Sequence, residues 1–230
     1  MLREVDLSEI SDGRLYDGDD LVKLGTEECK GCHACCCSMA DTIFLDPYDA
    51  YRLEKGLSVN FGSLLERHLE LRVSDGVILP GPRADQRLVI GGKTETNACT
   101  FLNEEGRCTV HGSRPAICRL FPLGRIYVEE GGHKYFLQTE ECAKERRTKI
   151  KIRKWMDTPE FSRYEGYVDC WHDVVRSIAS RAGELPEEKL KELDMILLQV
   201  FFLRDYQVDM GFYDQFEERV EIFRKATGLL

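Results

Sequence analysis

The stretch ECKGCHACCCSMAD, residues 28–41, places five cysteines within nine consecutive positions. A hydrophobic core does not require thiols at this density, because small apolar residues pack as well without being oxidised. The first three cysteines are spaced C-x2-C-x2-C, and two more follow directly. Two intervening residues allow a tight turn that directs both sulfurs and nearby backbone N–H groups at one metal centre. This stretch therefore predicts ligation of a metal by Cys29, Cys32, Cys35 and Cys36.

A second group of cysteines lies in CTFLNEEGRCTVHGSRPAIC, residues 99–118, at the spacing C-x8-C-x9-C. Cys142 and Cys170 stand further along the chain. Three sulfurs on one curling loop, with a fourth supplied from far away in sequence, suit an iron–sulfur cluster. Structural zinc sites more often show two separated C-x2-C pairs. The spacing favours iron–sulfur and leaves zinc open.

The composition describes an ordinary globular protein of 230 residues, 43% hydrophobic and 32% charged. The first residues, MLREVDLSEISDG, carry acids where a secretory signal needs an apolar run, and no stretch approaches about 18 apolar residues. We therefore expect a cytoplasmic protein that does not enter a membrane. Thiols stay reduced in the cytoplasm, so ten cysteines indicate metal or redox chemistry there. A net charge of −9 argues against a nucleic-acid partner.

The pattern along the chain predicts an N-terminal arm over residues 1–24, a cysteine-cluster metal-binding domain over 25–142 and a helical extension over 143–230. Helices are predicted after Asp46, which can cap the first, across 58–72, and from 141 to the end of the chain. Short strands are predicted within 77–96 and a hairpin within 124–139. The expected fold is therefore an α-rich α+β fold. An irregular cysteine-ligated metal core and a small β-hairpin pack against the C-terminal helices.

One basic stretch, KERRTKIKIRK at residues 144–154, departs from the acidic balance with seven basic residues and one acidic residue. A solvated helix face is the favoured interpretation, and a docking patch for an acidic partner is the alternative. His68, alone on a predicted helix face, is interpreted as a packing residue.

The two cysteine groups together resemble the YkgJ-like cysteine-cluster family, whose members are described as zinc- or iron-chelating domains and are related to flagellin lysine N-methylase. The resemblance covers residues 28–142. It is carried by C-x2-C-x2-C-C, by a Cys-Phe-Leu element, and by Arg-Pro-x-x-Cys-Arg-x-Phe-Pro. The matching positions are Cys29, Cys32, Cys35, Cys36, Cys99, Phe101, Leu102, Cys108, Arg114, Pro115, Cys118, Arg119, Phe121 and Pro122. A later cysteine that is usual in the family is matched by Cys142.

The resemblance implies an iron–sulfur protein, with one or two 4Fe–4S clusters and a redox or methylase-like, protein-modifying role towards another protein. Zn²⁺ in a structural or interaction module, and a metal carrier, are the alternatives. The resemblance identifies no catalytic residue and leaves open whether the protein is an enzyme. The implied metal ligands are Cys29, Cys32, Cys35, Cys36, Cys99, Cys108, Cys118 and Cys142.

Some positions near the motifs call for separate interpretation. Cys37 extends the first run and Cys170 lies outside the family pattern, so neither is predicted to be a ligand. Because neighbouring side chains diverge, Cys35 and Cys36 are predicted to serve different centres. Positive charge near an anionic cluster stabilises it, which predicts such a role for two arginines within the second motif. They are Arg114 and Arg119, and His111 is a weaker ligand candidate.

Overall fold

The structure of the protein, a computed structural model, describes residues 7–25, 32–129, 131–139, 141–142, 147–207 and 209–230. The strands are β1 Leu21–Gly25, β2 Leu69–Ser74, β3 Val77–Pro82, β4 Gln86–Ile90, β5 Lys93–Ala98, β6 Leu123–Tyr127, β7 His133–Leu137 and β8 Thr148–Lys151. The helices are α1 Leu7–Ile10, α2 Ala34–Ser38, α3 Pro47–Leu57, α4 Phe61–Arg67, α5 Ala116–Leu120, α6 Ile152–Met156, α7 Phe161–Ala179, α8 Glu187–Leu198 and α9 Phe212–Thr227.

The strands form antiparallel pairs, β1 with β8, β2 with β3, β4 with β5, and β6 with β7. Three of these pairs are hairpins between successive strands, and β6–β7 is the hairpin that the sequence predicts. The predicted α+β class with extensive C-terminal helices is confirmed. The short strands predicted within residues 77–96 are present as β3, β4 and β5, whereas β1, β2 and β8 are strands that the sequence analysis did not predict.

The pair β1–β8 connects segments that are far apart in the chain, with Val22 opposite Ile150. Exposed and buried side chains alternate along β1, and Val22 and Leu24 are buried in the core. Residues 21–24, which the sequence analysis assigns to a surface arm, therefore belong to the packed structure. The helix predicted across 141–157 is wrong over 148–151, because this segment gains backbone hydrogen bonds by pairing with β1.

The helix predicted across residues 58–72 is also too long. The Asn60 side chain accepts the backbone N–H of Ser63 and starts α4, which ends at Arg67, and β2 follows at once. The leucines of this segment fit helical spacing, but the part after Arg67 pairs with β3 along its whole length. Tertiary pairing here overrides the local pattern. His68 packs as expected, with its ring centroid 5.0 Å from that of Phe101.

Helix α3 begins as the sequence predicts. The Asp46 carboxylate accepts the N–H of Asp49 at 2.8 Å, Asp49 accepts the N–H of Asp46 in return, and Pro47 occupies the first turn. This reciprocal arrangement is a capping box, which satisfies two N–H groups that a helix start leaves unpaired. It also fixes the carboxylate of Asp49 at the buried end of α3, where the cysteine loops meet the helix.

One hydrophobic cluster runs through the described parts of both predicted regions, from Val22 in β1 to Phe223 in α9. At its centre, Tyr48 of α3 contacts aromatic rings of the C-terminal helices, including Tyr164, Tyr167 and Phe212. The C-terminal helices therefore support the cysteine region directly. Within the described residues, no helix is both long and apolar enough to cross a membrane.

Candidate metal centre

Six cysteines line one cavity of about 480 Å³ between α2, the loops after β5, and α5. Apolar side chains such as Ile43, Phe101 and Phe121 form much of the remaining wall. None of the described cysteines forms a disulfide. The cavity thus collects thiols from both sequence motifs within a mainly apolar enclosure. The cysteines are Cys32, Cys35, Cys36, Cys99, Cys108 and Cys118.

Helix α2 positions Cys35 and Cys36, and their division between two metal centres stays a prediction. Both line the same cavity. A hydrogen bond from the Cys36 thiol lowers the pKa of Cys35 to about 7, while the same contact and burial raise the pKa of Cys36 far above its usual range. Successive helical side chains are rotated by about 100°, so two neighbours can flank one cavity. The next residue, Cys37, does not line the cavity, and it packs with Cys36 against the cluster of Leu88 and Ala98.

A backbone hydrogen bond joins the two motifs: the N–H of Cys99 donates to the carbonyl of Cys36 at 2.8 Å. The loop from Cys99 to Cys108 then folds back on itself. The Asn103 side chain accepts the N–H groups of Glu105 and Arg107, which closes a turn. This turn returns Cys108 to the same wall of the cavity as Cys99.

Backbone N–H groups are directed at two of the sulfurs. Burial raises the pKa of Cys99 to about 11, and the hydrogen bond from the N–H of Phe101 acts in the opposite direction. Burial likewise raises the pKa of Cys108, and a hydrogen bond from the N–H of Val110 lowers this pKa. Donors placed two residues after a cysteine stabilise thiolate, which is the form that binds metal. The sequence analysis expects such donors in the C-x2-C turns, and here they lie in the second motif, where the cysteines are more widely spaced.

Helix α5 places Cys118 in the cavity. The helix is only five residues long, and hydrogen bonds from other helices hold it in position. Asp49 of α3 accepts the N–H of Ala116 at 2.7 Å, and the indole N–H of Trp155 in α6 donates to the carbonyl of Leu120 at 3.3 Å. Burial raises the pKa of Cys118 well above its usual range, and repulsion from the neighbouring thiols adds to this. A metal cation in the cavity would stabilise the Cys118 thiolate against both effects.

The two arginines near α5 have different roles. Arg114 lines the cavity, with Nη1 2.8 Å from Nε2 of His111, which also lines it. Arg114 is therefore placed to offset thiolate charge, as predicted. Arg119 is only 2% exposed and does not line the cavity. Its guanidinium lies 3.8 Å from Asp49 and donates to Thr158, so it fixes α5 to α3 and to the turn after α6.

The other two predicted ligands, Cys29 and Cys142, have separate outcomes. Cys29 lies outside the described residues. Cys142 does not line the cavity, and its carbonyl accepts a hydrogen bond from Arg147; its role as a ligand stays a prediction. Cys170 is half-buried on α7 and packs against the core. The sequence analysis missed Asp49, whose role could be suspected only from its position three residues after a helix cap.

The donor set fits a metal-containing group. Thiolate is the ligand preferred by zinc, iron–sulfur clusters and Cu(I). Because burial favours the neutral thiols, metal binding would release protons from them, as is general for cysteine sites. Among the described residues, no group of three His, Cys, Asp or Glu side chains is arranged to hold a single ion. The thiols surround a space, rather than converging on one point.

The fold and the cavity together define an α+β protein with a cavity lined by partly buried cysteines. The family model CxxCxxCC, described as "Putative zinc- or iron-chelating domain", matches residues 28–155, and the chain belongs to this family. The domain is thus a zinc- or iron-chelating module, and the match extends beyond Cys142 to include β8 and most of α6. Neither the search of curated proteins nor the search of solved structures gave a match.

Asp49 gives a prediction about stability and pH. Burial and the charge of Asp46 raise the pKa of Asp49 from 3.8 to about 8, outweighing the attraction of Arg119. The folded protein therefore keeps a proton that the unfolded chain releases near pH 4. The stability from this proton is fully present below that pH and is lost as the pH rises through about 8, at up to about 1.4 kcal/mol per pH unit.

We expect the free energy of unfolding of the wild type, minus that of Asp49→Asn, to decrease from about pH 5 to about pH 8 and then to level off. Asparagine keeps an acceptor for the N–H of Ala116 but cannot titrate. Urea unfolding of both proteins across this range measures the difference. A difference that does not change with pH would contradict the prediction.

Proposed function

We propose that the cavity binds an iron–sulfur cluster and that the protein serves in electron transfer with another protein. The observation that carries this proposal is the convergence of six cysteines on one cavity of about 480 Å³. A tetrahedral zinc site holds four ligands at about 2.3 Å from the ion and encloses little other space. A polynuclear cluster needs both the additional room and the mainly apolar wall.

The residues that would hold the cluster are the cavity cysteines, with Cys29, which lies outside the described residues, as a further candidate. When bound, the cluster would supply one-electron redox chemistry. The N–H groups of Phe101 and Val110 would stabilise negative charge on the Cys99 and Cys108 sulfurs. Hydrogen bonds to sulfur and exclusion of solvent are both determinants of cluster potential.

The charge at the cavity rim supports the same proposal. A cluster held by four cysteinates is anionic, and Arg114 lines the cavity with its guanidinium beside His111. In a weakly solvated enclosure, a nearby cation stabilises such a charge more than it would in water. A cytoplasmic location is part of the proposal, because reduced thiols and an oxidation-sensitive cluster require a reducing compartment. A methylase-like role rests on the family resemblance alone.

Metal analysis of protein purified without oxygen tests the proposal. We expect iron and acid-labile sulfide in equal amounts, on the order of four of each per chain. The protein should be brown, and dithionite should bleach its visible absorption. Stoichiometric zinc without sulfide, in protein expressed with both metals available, would instead support the zinc-binding structural module and overturn the redox proposal.

A further inference from the structure

A groove of about 560 Å³ between α3 and α6 has the opposite charge to the protein as a whole. The chain carries a net charge of −9. Four cations nevertheless line this groove, and Asp157 is the acidic residue among its lining side chains. Two cations come from α3 and two from α6, so the positive charge is assembled by the fold. They are Arg52, Lys55, Arg153 and Lys154.

Much of this charge is not neutralised inside the protein. Within the described part of the chain, neither Lys55 nor Lys154 has an acidic partner, and Lys55 lies over the ring of Tyr51 at 5.8 Å. Arg52 donates to the carbonyl of Gly112 at 2.6 Å, which orients the guanidinium but leaves its charge unpaired. Arg153 pairs with Asp19 at 2.9 Å, in a contact open to solvent. An anion in the groove would relieve the repulsion among these groups.

The walls of the groove are held in fixed positions. Arg119 spans from Asp49 in α3 to the carbonyl of Met156 at the end of α6, and also donates to Thr158 in the groove. Arg52 and Lys55 are three residues apart and therefore lie on the same face of α3. Side chains on two tied helices are better placed to bind a ligand than side chains on a loop, because less ordering is needed on binding.

A second depression of about 380 Å³ shares Arg52 and Lys55 with the groove and is also lined by Gly112 and Ser113. The two shared cations thus line both hollows. A single small anion would occupy one hollow only. An elongated anion with linked charges could contact the α6 cations at one end and the 112–113 turn at the other.

We propose that this groove binds a small ligand bearing two or more linked phosphate groups. Guanidinium groups offer paired donors to phosphate oxygens, and lysines add point charges. The volume falls within the range of about 300–1,000 Å³ typical of small-molecule sites. An interface with a protein partner would instead need on the order of 800 Å² per partner. The inference does not depend on which metal the cysteines bind.

Isothermal titration calorimetry of the metal-loaded full chain with tripolyphosphate, at about 0.15 M salt, tests the proposal. We expect binding of one ligand per chain that the double variant Lys55→Glu and Lys154→Glu weakens at least about 10-fold per substitution. Lys225→Glu on α9 makes the charge change of one of these two substitutions at an exposed lysine outside the groove, and it should leave the affinity unchanged. Equal weakening by Lys225→Glu would show a non-specific charge effect and overturn the proposal.

Three further titrations identify the ligand. Inorganic phosphate should bind more weakly than tripolyphosphate, because it can fill one hollow only, and equal affinity would contradict the linked-phosphate requirement. ATP that binds more tightly than tripolyphosphate would support a nucleotide, and equal affinity would support a ligand recognised by phosphates alone. A polyglutamate peptide that binds as tightly as tripolyphosphate would overturn the proposal in favour of an acidic protein segment.

Discussion

Replacement of Cys118 by alanine is expected to remove most of the bound metal. Cys118 is the cavity cysteine held by α5, and its thiol interacts electrostatically with Cys99, Cys35 and Cys108. Loss of a partner that merely orients a ligand costs about 10–100-fold in metal affinity, so loss of a ligand should cost at least about 100-fold. Inductively coupled plasma mass spectrometry of the desalted proteins measures the ratio of bound metal to protein.

Two other cysteines provide matched controls for this experiment. Cys170→Ala on α7 and Cys37→Ala beside Leu88 remove thiols that do not line the cavity. Both variants should keep the wild-type metal content. Full metal content in Cys118→Ala would refute the assignment of the cavity as the metal centre. Loss of metal in the Cys170 variant would mean that thiol content, and not the cavity, determines binding.

The second large effect is expected for Arg119→Met, which should destabilise the folded protein by about 2–4 kcal/mol, since each buried acceptor left without a donor costs about 1–3 kcal/mol. The side chain is 2% exposed, lies 3.8 Å from Asp49, and donates to Thr158 and to the carbonyl of Arg114. Methionine would fill much of the volume but leave these buried acceptors without their donor. Urea unfolding followed by circular dichroism measures the loss.

An exposed ion pair gives the comparison for Arg119. Arg181 pairs with Glu184 at 3.4 Å on the surface, and Arg181→Met should change stability by no more than about 1 kcal/mol. Because Arg119 also holds α5 in place, its loss should weaken metal binding by about 10–100-fold, as for other groups that orient a ligand. Stability within about 1 kcal/mol of the wild type in Arg119→Met would contradict the role given to this arginine.

The family and much of the local structure could be predicted from the amino-acid sequence. The spacing of Cys29 to Cys36 and the Arg-Pro-x-x-Cys-Arg motif identify the family, because they are short-range patterns that ligand geometry imposes on the chain. The cap at Asp46 and the hairpin β6–β7 are also local, since their hydrogen bonds join residues close in sequence. These predictions required no knowledge of distant contacts.

Other features follow from contacts between segments that are distant in the chain. Residues 148–151 form a strand because β1 offers a partner more than 100 positions earlier. Cys35 and Cys36 share a cavity with Cys99, and a backbone hydrogen bond joins Cys99 to α2 there. In each case, the local pattern permitted several conformations, and long-range hydrogen bonding selected one of them.

Charged side chains show most clearly the difference between what the sequence predicts and what the tertiary structure decides. Arg119 belongs to a motif that the sequence alone identifies, yet its contact with Asp49 joins α5 to α3, and the neighbouring bond from Ala116 to Asp49 spans 67 positions of the chain. The basic groove likewise takes two cations from α3 and two from α6. Thus the sequence determined which residues can ligate a metal or carry charge. Only the tertiary structure decided which of them meet, because electrostatic and hydrogen-bonding partners are set by distance in space, and not by separation along the chain.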